Sequence, residues 1–284
     1  MSLSSLIWRS GSEFLEDGGP TQAAALAFYT VFSLPSLLLI MIYVAGIFFG
    51  RAEAGSQIQN QAGRLLGGGI GSQFQGLATA AARTASSGGI ATVFGIAGLL
   101  FAATSAFSQL QTALNRMWEV RDRSGVRNIL KKRFFSFLLI IGISILVLAS
   151  LGAVTFLTYL GEHSGLPLPA GVTYAGQILV SWVVFALLFG TIFKVLPDAE
   201  VAWKDVKVGA MITAGLFVAG KFLIGYYLSR SSTASAYRAA GALAILLLWA
   251  YYSSMIFLFG AELTQVWARL HGRAIQPEPE FVHR

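Results

Sequence analysis

Residues 17–49 read DGGPTQAAALAFYTVFSLPSLLLIMIYVAGIFF, and from Ala23 onward no Asp, Glu, Lys or Arg occurs until Arg51. Crossing a hydrocarbon core of about 30 Å takes roughly 20 apolar residues in helical form, and this run exceeds that. It reads as a transmembrane helix over 22–49. Pro35 falls mid-span, where it removes the bond to the Val31 carbonyl and kinks the helix. Gln22, Tyr29, Ser33 and Ser36 recur at helical spacing and draw a polar stripe along one side. In lipid such a stripe faces other helices or a wet cavity. It serves either interhelical hydrogen bonding or the lining of a passage.

The rest of the chain has the same character. Its 284 residues are 55% hydrophobic and 12% charged, where a soluble chain carries about 25% charged residues. Mean hydropathy is +0.67. There is no cysteine, which excludes disulfides, thiolate metal sites and cysteine nucleophiles. The first residues, MSLSSLIWRSGSEFLEDGG, lack the basic segment and apolar core of a cleavable signal peptide.

Working outward, Leu3, Leu6, Ile7, Phe14 and Leu15 predict a short amphipathic helix lying along the membrane surface. Gly18-Gly19-Pro20 ends it, and Pro20 suits the first turn of the next helix. Residues 51–87 predict amphipathic interfacial helices. Further spans are expected at 88–112, 134–160, 174–196, 206–228 and 240–267, with a disordered tail over 270–284. In the second span Gly98, Ala102 and Ala106 form a small-residue stripe, and Thr104, Ser108, Thr112 and Asn115 a polar one. The expected fold is all-α: one polytopic membrane domain over 1–284 with six spans and amphipathic additions. The fourth span has no counterpart of Pro35, so no inverted repeat is claimed.

Positive charge fixes the expected orientation. Arg116, Arg121, Arg123, Arg127, Lys131, Lys132 and Arg133 crowd one loop. With six spans and both termini cytoplasmic, this loop, the 197–207 loop and the tail all lie inside, as the positive-inside rule requires. The net charge of +7 is then a topology signal rather than a nucleic-acid footprint.

Four blocks carry a family likeness: DGGPTQAAALAFYTVFSLPSLLLI, ALNRMWEVRDR, KVLPDAEVAWKDVKVGA and AAGALAILLLWAYYSSMIFLFGAEL. In order, and over nearly the whole chain, they resemble the YihY/BrkB family of bacterial inner-membrane proteins. The resemblance implies a six-helix integral membrane protein. One branch of that family is linked to serum resistance and virulence, and another to movement of lipopolysaccharide-type lipids across the inner membrane. An older label for members, ribonuclease BN, implies RNA hydrolysis. Such chemistry needs a metal centre or an acid–base pair within reach of a polyanion. The three histidines, His163, His271 and His283, form no ligand cluster.

Isolated charges within spans are functional candidates by default. Lys221 lies roughly 22 Å from the inner end of its helix and about 10 Å from the outer boundary, within snorkelling range. Snorkelling competes with attraction of an anionic substrate. Glu262 lies near the inner end of the last span, too far from Lys221 in depth to pair with it. It reads either as half of a buried pair with Arg116 or Lys194, or as a proton-coupling group. Asp17 reads as an acidic group at a helix N-terminus. Trp118, Trp182, Trp203 and Trp267, near span ends, read as interfacial anchors, and the deeper Trp249 as packing. The segment Gly215 to Lys221 has phosphate-loop spacing, but Phe222 replaces the required Ser or Thr inside a span.

The expected function is a transporter or flippase-like permease, not an enzyme, with no catalytic residue, metal or cofactor. Its candidate path is Gln22, Tyr29, Ser33, Pro35, Ser36, Ser108, Asn115, Lys221 and Glu262. Membrane lipids are the expected partners, with an anionic or amphiphilic, lipid-like substrate and no nucleic acid. A homo-oligomer is left open. The alternative is a non-transporting scaffold that meets partners or anionic headgroups through the basic loop. A permease calls for a polar cavity beside Pro35, a scaffold for a dry, packed centre. The orientation is checked by thiol labelling in the cysteine-free chain. Asn128→Cys should react only after permeabilisation and Leu168→Cys in intact cells, and the reverse pattern overturns it.

Overall fold

The computed structural model describes residues 3–33, 90–120, 170–230, 238–272 and 275–277, with isolated helical positions at 142, 145, 146, 149 and 152. The described chain is helical: α1 Leu3–Glu16, α2 over residues 19–33, α3 Ile90–Met117, α4 Ala170–Val195, α5 Trp203–Arg230 and α6 Arg238–Leu270. Three segments are long and apolar enough to cross a membrane: Tyr174–Val195, Trp203–Leu223 and Ala244–Leu270. They coincide with the expected fourth, fifth and sixth spans, and the all-α expectation is borne out. The 51–87 region, the third span and the basic loop beyond Arg116 lie outside the described residues, as does the Pro35 half of the first span.

The break at Gly18-Gly19-Pro20 forms as expected. Gly18 adopts a φ of 69°, closing α1 through its N–H to Leu15 O at 3.1 Å. Its own carbonyl accepts from Thr21 and Gln22 at 3.0 and 3.1 Å, so Gly18, not Asp17, holds the cap position of α2. At Gly19 a Cβ would overlap the ring of Phe14. That close approach seats Phe14 under the turn. The helix α1 does not simply rest on a membrane surface. Leu6, Ser10 and Phe14 are buried on one face, while Ile7, Trp8 and Leu15 are exposed on the other.

Helix α6 is the centre of the described bundle. It crosses α5 through two reciprocal Gly–Thr contacts. A Cβ on Gly209 would meet Thr264, whose own Cβ lies 2.9 Å away, and a Cβ on Gly260 would meet Thr213, with its Cβ at 2.8 Å. Each threonine stands four residues from the glycine of its own helix and donates to that glycine's carbonyl, Thr213 Oγ1 at 2.6 Å and Thr264 Oγ1 at 2.8 Å. The hydroxyls are thereby satisfied within their helices, and the backbones come close without stranding a polar group. This motif escaped the sequence reading, which placed the small-residue stripe on Gly98, Ala102 and Ala106.

Helix α4 packs along α5 and α6 through an aromatic ladder. Phe185 and Phe189 meet Phe217 with ring centroids 4.5 and 5.5 Å apart, and Phe193 meets Phe257 at 5.1 Å. Phe217 also contacts Trp249, at 6.4 Å, which is buried as expected. Trp118 is a correction. It is 2% exposed, packs on Phe193, and donates its indole N–H to Ala261 O at 2.9 Å, so it ties α3 to α6 rather than anchoring at an interface. The tail expectation is corrected too. Gln276–Pro277 pairs antiparallel with Ala199–Glu200 in a two-stranded ribbon, β1 and β2, that pins the tail to the turn between α4 and α5.

If the Gly–Thr crossing sets the α5–α6 distance, Gly209→Ala should destabilise the fold by about 1–3 kcal/mol through overpacking. Gly11 meets nothing within 4 Å, so Gly11→Ala in α1 should instead stabilise, by up to about 1 kcal/mol. Unfolding midpoints of both variants in one detergent check the contrast.

Candidate functional site

Polar groups gather at the end of the bundle where α1 and α3 finish and α5 begins. Helix α3 stops in a left-handed turn. Val120 N–H reaches Asn115 O at 2.8 Å, Glu119 N–H reaches Arg116 O at 3.1 Å, and Glu119 has a φ of 56°. A side chain in that conformation costs about 1–2 kcal/mol. The turn aims the Glu119 carboxylate at Arg269 Nη2, 2.6 Å away. Arg269 Nη1 binds Glu13 Oε2 at 2.9 Å, and Arg9 Nε takes the other Glu13 oxygen at 2.9 Å. Gln265, with its amide turned to suit both neighbours, donates to the Met117 carbonyl and accepts from Arg269. Arg116 Nε donates to the Asp17 carbonyl at 3.0 Å. Arg269, which the sequence reading did not single out, therefore joins α1, α3 and α6.

Just inside this end lies a buried knot. Asp198, in the turn after α4, accepts from Gln111 Nε2 at 3.0 Å and Asn115 Nδ2 at 2.9 Å, and its N–H donates to Asn115 Oδ1 at 3.0 Å. Gln111 and Asn115 are both buried. Their i, i+4 spacing was the signal in the sequence that they share a face. Among the described residues Glu262 forms no ion pair. Arg116 is taken as above, and Lys194 Nζ donates to Val201 O at 2.7 Å, so neither becomes the expected partner. Glu262 is fully buried, and its Oε2 has no hydrogen-bond partner.

Deeper in the bundle is an open cavity of about 250 Å³ lined by residues from all of α2 to α6. Its wall is mainly apolar and aromatic, from Leu26, Phe107, Phe189, Phe217, Trp249 and Phe257. Four hydroxyl-bearing residues interrupt it, Thr30 and Ser33 from α2 and Ser253 and Ser254 from α6.

The expected polar path is thus dispersed. Ser33 lines the cavity, donating its hydroxyl to Thr30 O at 2.9 Å. Gln22 accepts from Gln109 at 3.1 Å, a plain interhelical bond. Tyr29 and Ser108 are exposed rather than turned inward, because the buried faces are set by Ala23, Ala27 and Val31 on α2 and by Phe107, Gln111 and Leu114 on α3. Asn115 belongs to the Asp198 knot. Lys221 is half-buried, with Nζ 5.2 Å from the Phe222 ring centroid. Pro35, Ser36, Arg121, Arg123, Arg127, Lys131, Lys132 and Arg133 lie outside the described residues.

Long apolar helices lining an open cavity, with the ion pairs among the described residues gathered at one end, define an all-helical membrane protein. The family model described as Virulence factor BrkB matches residues 10–282, and the chain belongs to that family. A UPF0761 membrane protein of Pseudomonas paraeruginosa is 30% identical over 261 residues, covering 88% of this chain and 59% of the relative. Another from Ralstonia nicotianae is 29% identical, covering 87% and 55%. The chain therefore spans less than two thirds of the length of these relatives. No solved structure matches it.

Two measurements follow. Asn115→Ala removes two hydrogen bonds to the half-buried Asp198, one to its carboxylate and one from its N–H, and should cost about 1–3 kcal/mol in unfolding experiments. Burial raises the Asp17 carboxyl above its ordinary 3.8, and Glu119 adds to the rise while Arg269 opposes it. The folded state then holds the proton more tightly than the unfolded chain. Asp17's contribution is full below its ordinary value and is lost as pH climbs through the raised one. Asp17→Asn should flatten that part of the stability–pH curve.

Proposed function

We propose that the protein is a bacterial inner-membrane permease of the flippase type, moving an anionic or amphiphilic, lipid-like molecule, with both termini cytoplasmic. The cavity carries this reading. At about 250 Å³ it exceeds the roughly 150 Å³ apolar void known to take up benzene, yet falls short of the roughly 300 Å³ at which whole-ligand pockets begin. That size and an aromatic wall suit a segment of acyl chain, with the hydroxyls of Thr30, Ser33, Ser253 and Ser254 available to a glycerol- or sugar-like part. Lys221 follows Phe217 by one helical turn on α5, which puts a cation near the far end of the same wall for an anionic headgroup. No bond is broken in this reading.

The helix directions support the alternation of spans. The starts of α2 and α5 and the ends of α3, α4 and α6 share one end of the bundle, as alternating spans require, and the positive-inside rule then assigns that end to the cytoplasm. The Virulence factor BrkB family name supports a role at the cell envelope.

Purified protein in liposomes should expose a tail-labelled fluorescent anionic phospholipid of the inner leaflet to an impermeant quencher faster than protein-free liposomes do. Ala106→Phe, which fills the cavity from α3, should slow that exchange severalfold while unfolding normally. Exchange no faster than in empty liposomes would favour the scaffold reading.

A further inference from the structure

Two buried polar side-chain atoms among the described residues lack a hydrogen-bond partner, Ser10 Oγ and Glu262 Oε2, and both residues are 0% exposed. They meet the same seam. On α1 the buried face is Leu6, Ser10 and Phe14, at four-residue spacing. Leu6 packs with Leu263 and Val266 of α6, and the Phe14 ring meets Phe259 edge-on at 6.1 Å between centroids. Ser10 lies between these two contacts on α1 and faces the stretch of α6 between Phe259 and Val266. Glu262 lies in that stretch. It shares its helix face with Gln265, Val266 and Arg269, three, four and seven residues further on.

The charges around Glu262 are unfavourable to another anion. Glu13, Asp17 and Glu119 repel it, and Arg269 attracts it. Arg269 already binds Glu13 and Glu119, Arg9 binds Glu13, and Arg116 is held by the Asp17 carbonyl. An unpaired buried carboxylate costs several kcal/mol. One proton removes that charge and converts an orphan acceptor into a donor.

We propose that Glu262, in the seam that buried Ser10 also lines, is a proton-binding site. One proton on the Glu262 carboxyl keeps α1 seated on α6, and its release places a charge in the seam that admits water and loosens α1. The site rests on the burial and packing of these two residues and stands whether or not the chain moves lipids.

Infrared difference spectra of the full chain in lipid nanodiscs, taken between neutral and alkaline buffer, test it. The expected result is loss of a protonated carboxylic acid band as pH rises, a loss retained in Asp17→Asn and absent from Glu262→Gln. In parallel, Leu6→Cys should react with a thiol reagent increasingly fast as pH rises, by up to about tenfold per pH unit after correction by the exposed Ser12→Cys. Absence of any protonated carboxyl in the wild-type chain at neutral pH overturns the proposal without recourse to a variant. So does disappearance of the band in Asp17→Asn, its survival in folded Glu262→Gln, or a corrected Leu6→Cys rate that ignores pH.

Discussion

The close crossing of α5 and α6 governs the described bundle. Helices in lipid gain little from hiding apolar surface, because the acyl chains are as apolar as leucine, so contact and polar satisfaction decide how they associate. Gly209 and Gly260 let the two backbones approach, and Thr213 and Thr264 fill the remaining space with their hydroxyls bonded inside their own helices. That crossing leaves the other faces of α6 for its remaining neighbours. The Ala261 carbonyl meets the Trp118 indole, Phe257 meets the α4 ladder, and Phe259, Leu263 and Val266 receive α1.

Polarity divides along the same axis. At one end a chain of ionic contacts runs Arg9–Glu13–Arg269–Glu119, with side chains exposed enough that each pair adds at most about 1 kcal/mol. One layer inward the contacts become buried and geometrically strict, as in the Asn115–Asp198 double bond. Beyond that the wall is aromatic and the cavity begins. The lipid-moving reading proposed above rests on this order of charge, bonded polar groups and apolar wall. Glu262 is the exception to the ordering, buried at the threshold with one oxygen unmatched.

Individual site residues were legible only where their neighbours in sequence decided their surroundings. Gly18-Gly19-Pro20 was readable because backbone chemistry within four residues fixes a turn. Glu262 stood out because an ionisable group in an apolar run is costly wherever the helix faces. Tyr29 and Ser108 misled because helical spacing gives a face but not its direction, and larger apolar surfaces claimed the interior. Arg269 looked like an ordinary basic residue closing a helix. Its partners Glu13 and Glu119 lie 256 and 150 residues away in sequence, beyond the reach of periodicity.

What the chain alone determined was its solvent and its secondary structure. Uncharged runs longer than a bilayer is thick leave only helices in lipid, because every backbone group must then be bonded within its own segment. Glycine and proline marked the break between α1 and α2, whereas α3 ends at a left-handed Glu119 that no such residue announces. What only the tertiary structure decided was which polar residues meet. The knot at Asp198, the hub at Arg269 and the hydroxyls at the cavity each bring together side chains from different elements, and burial under α1 leaves one Glu262 oxygen unmatched. Their juxtaposition depends on crossing angles and depths, which packing at a few glycines and aromatic rings sets and no local pattern records.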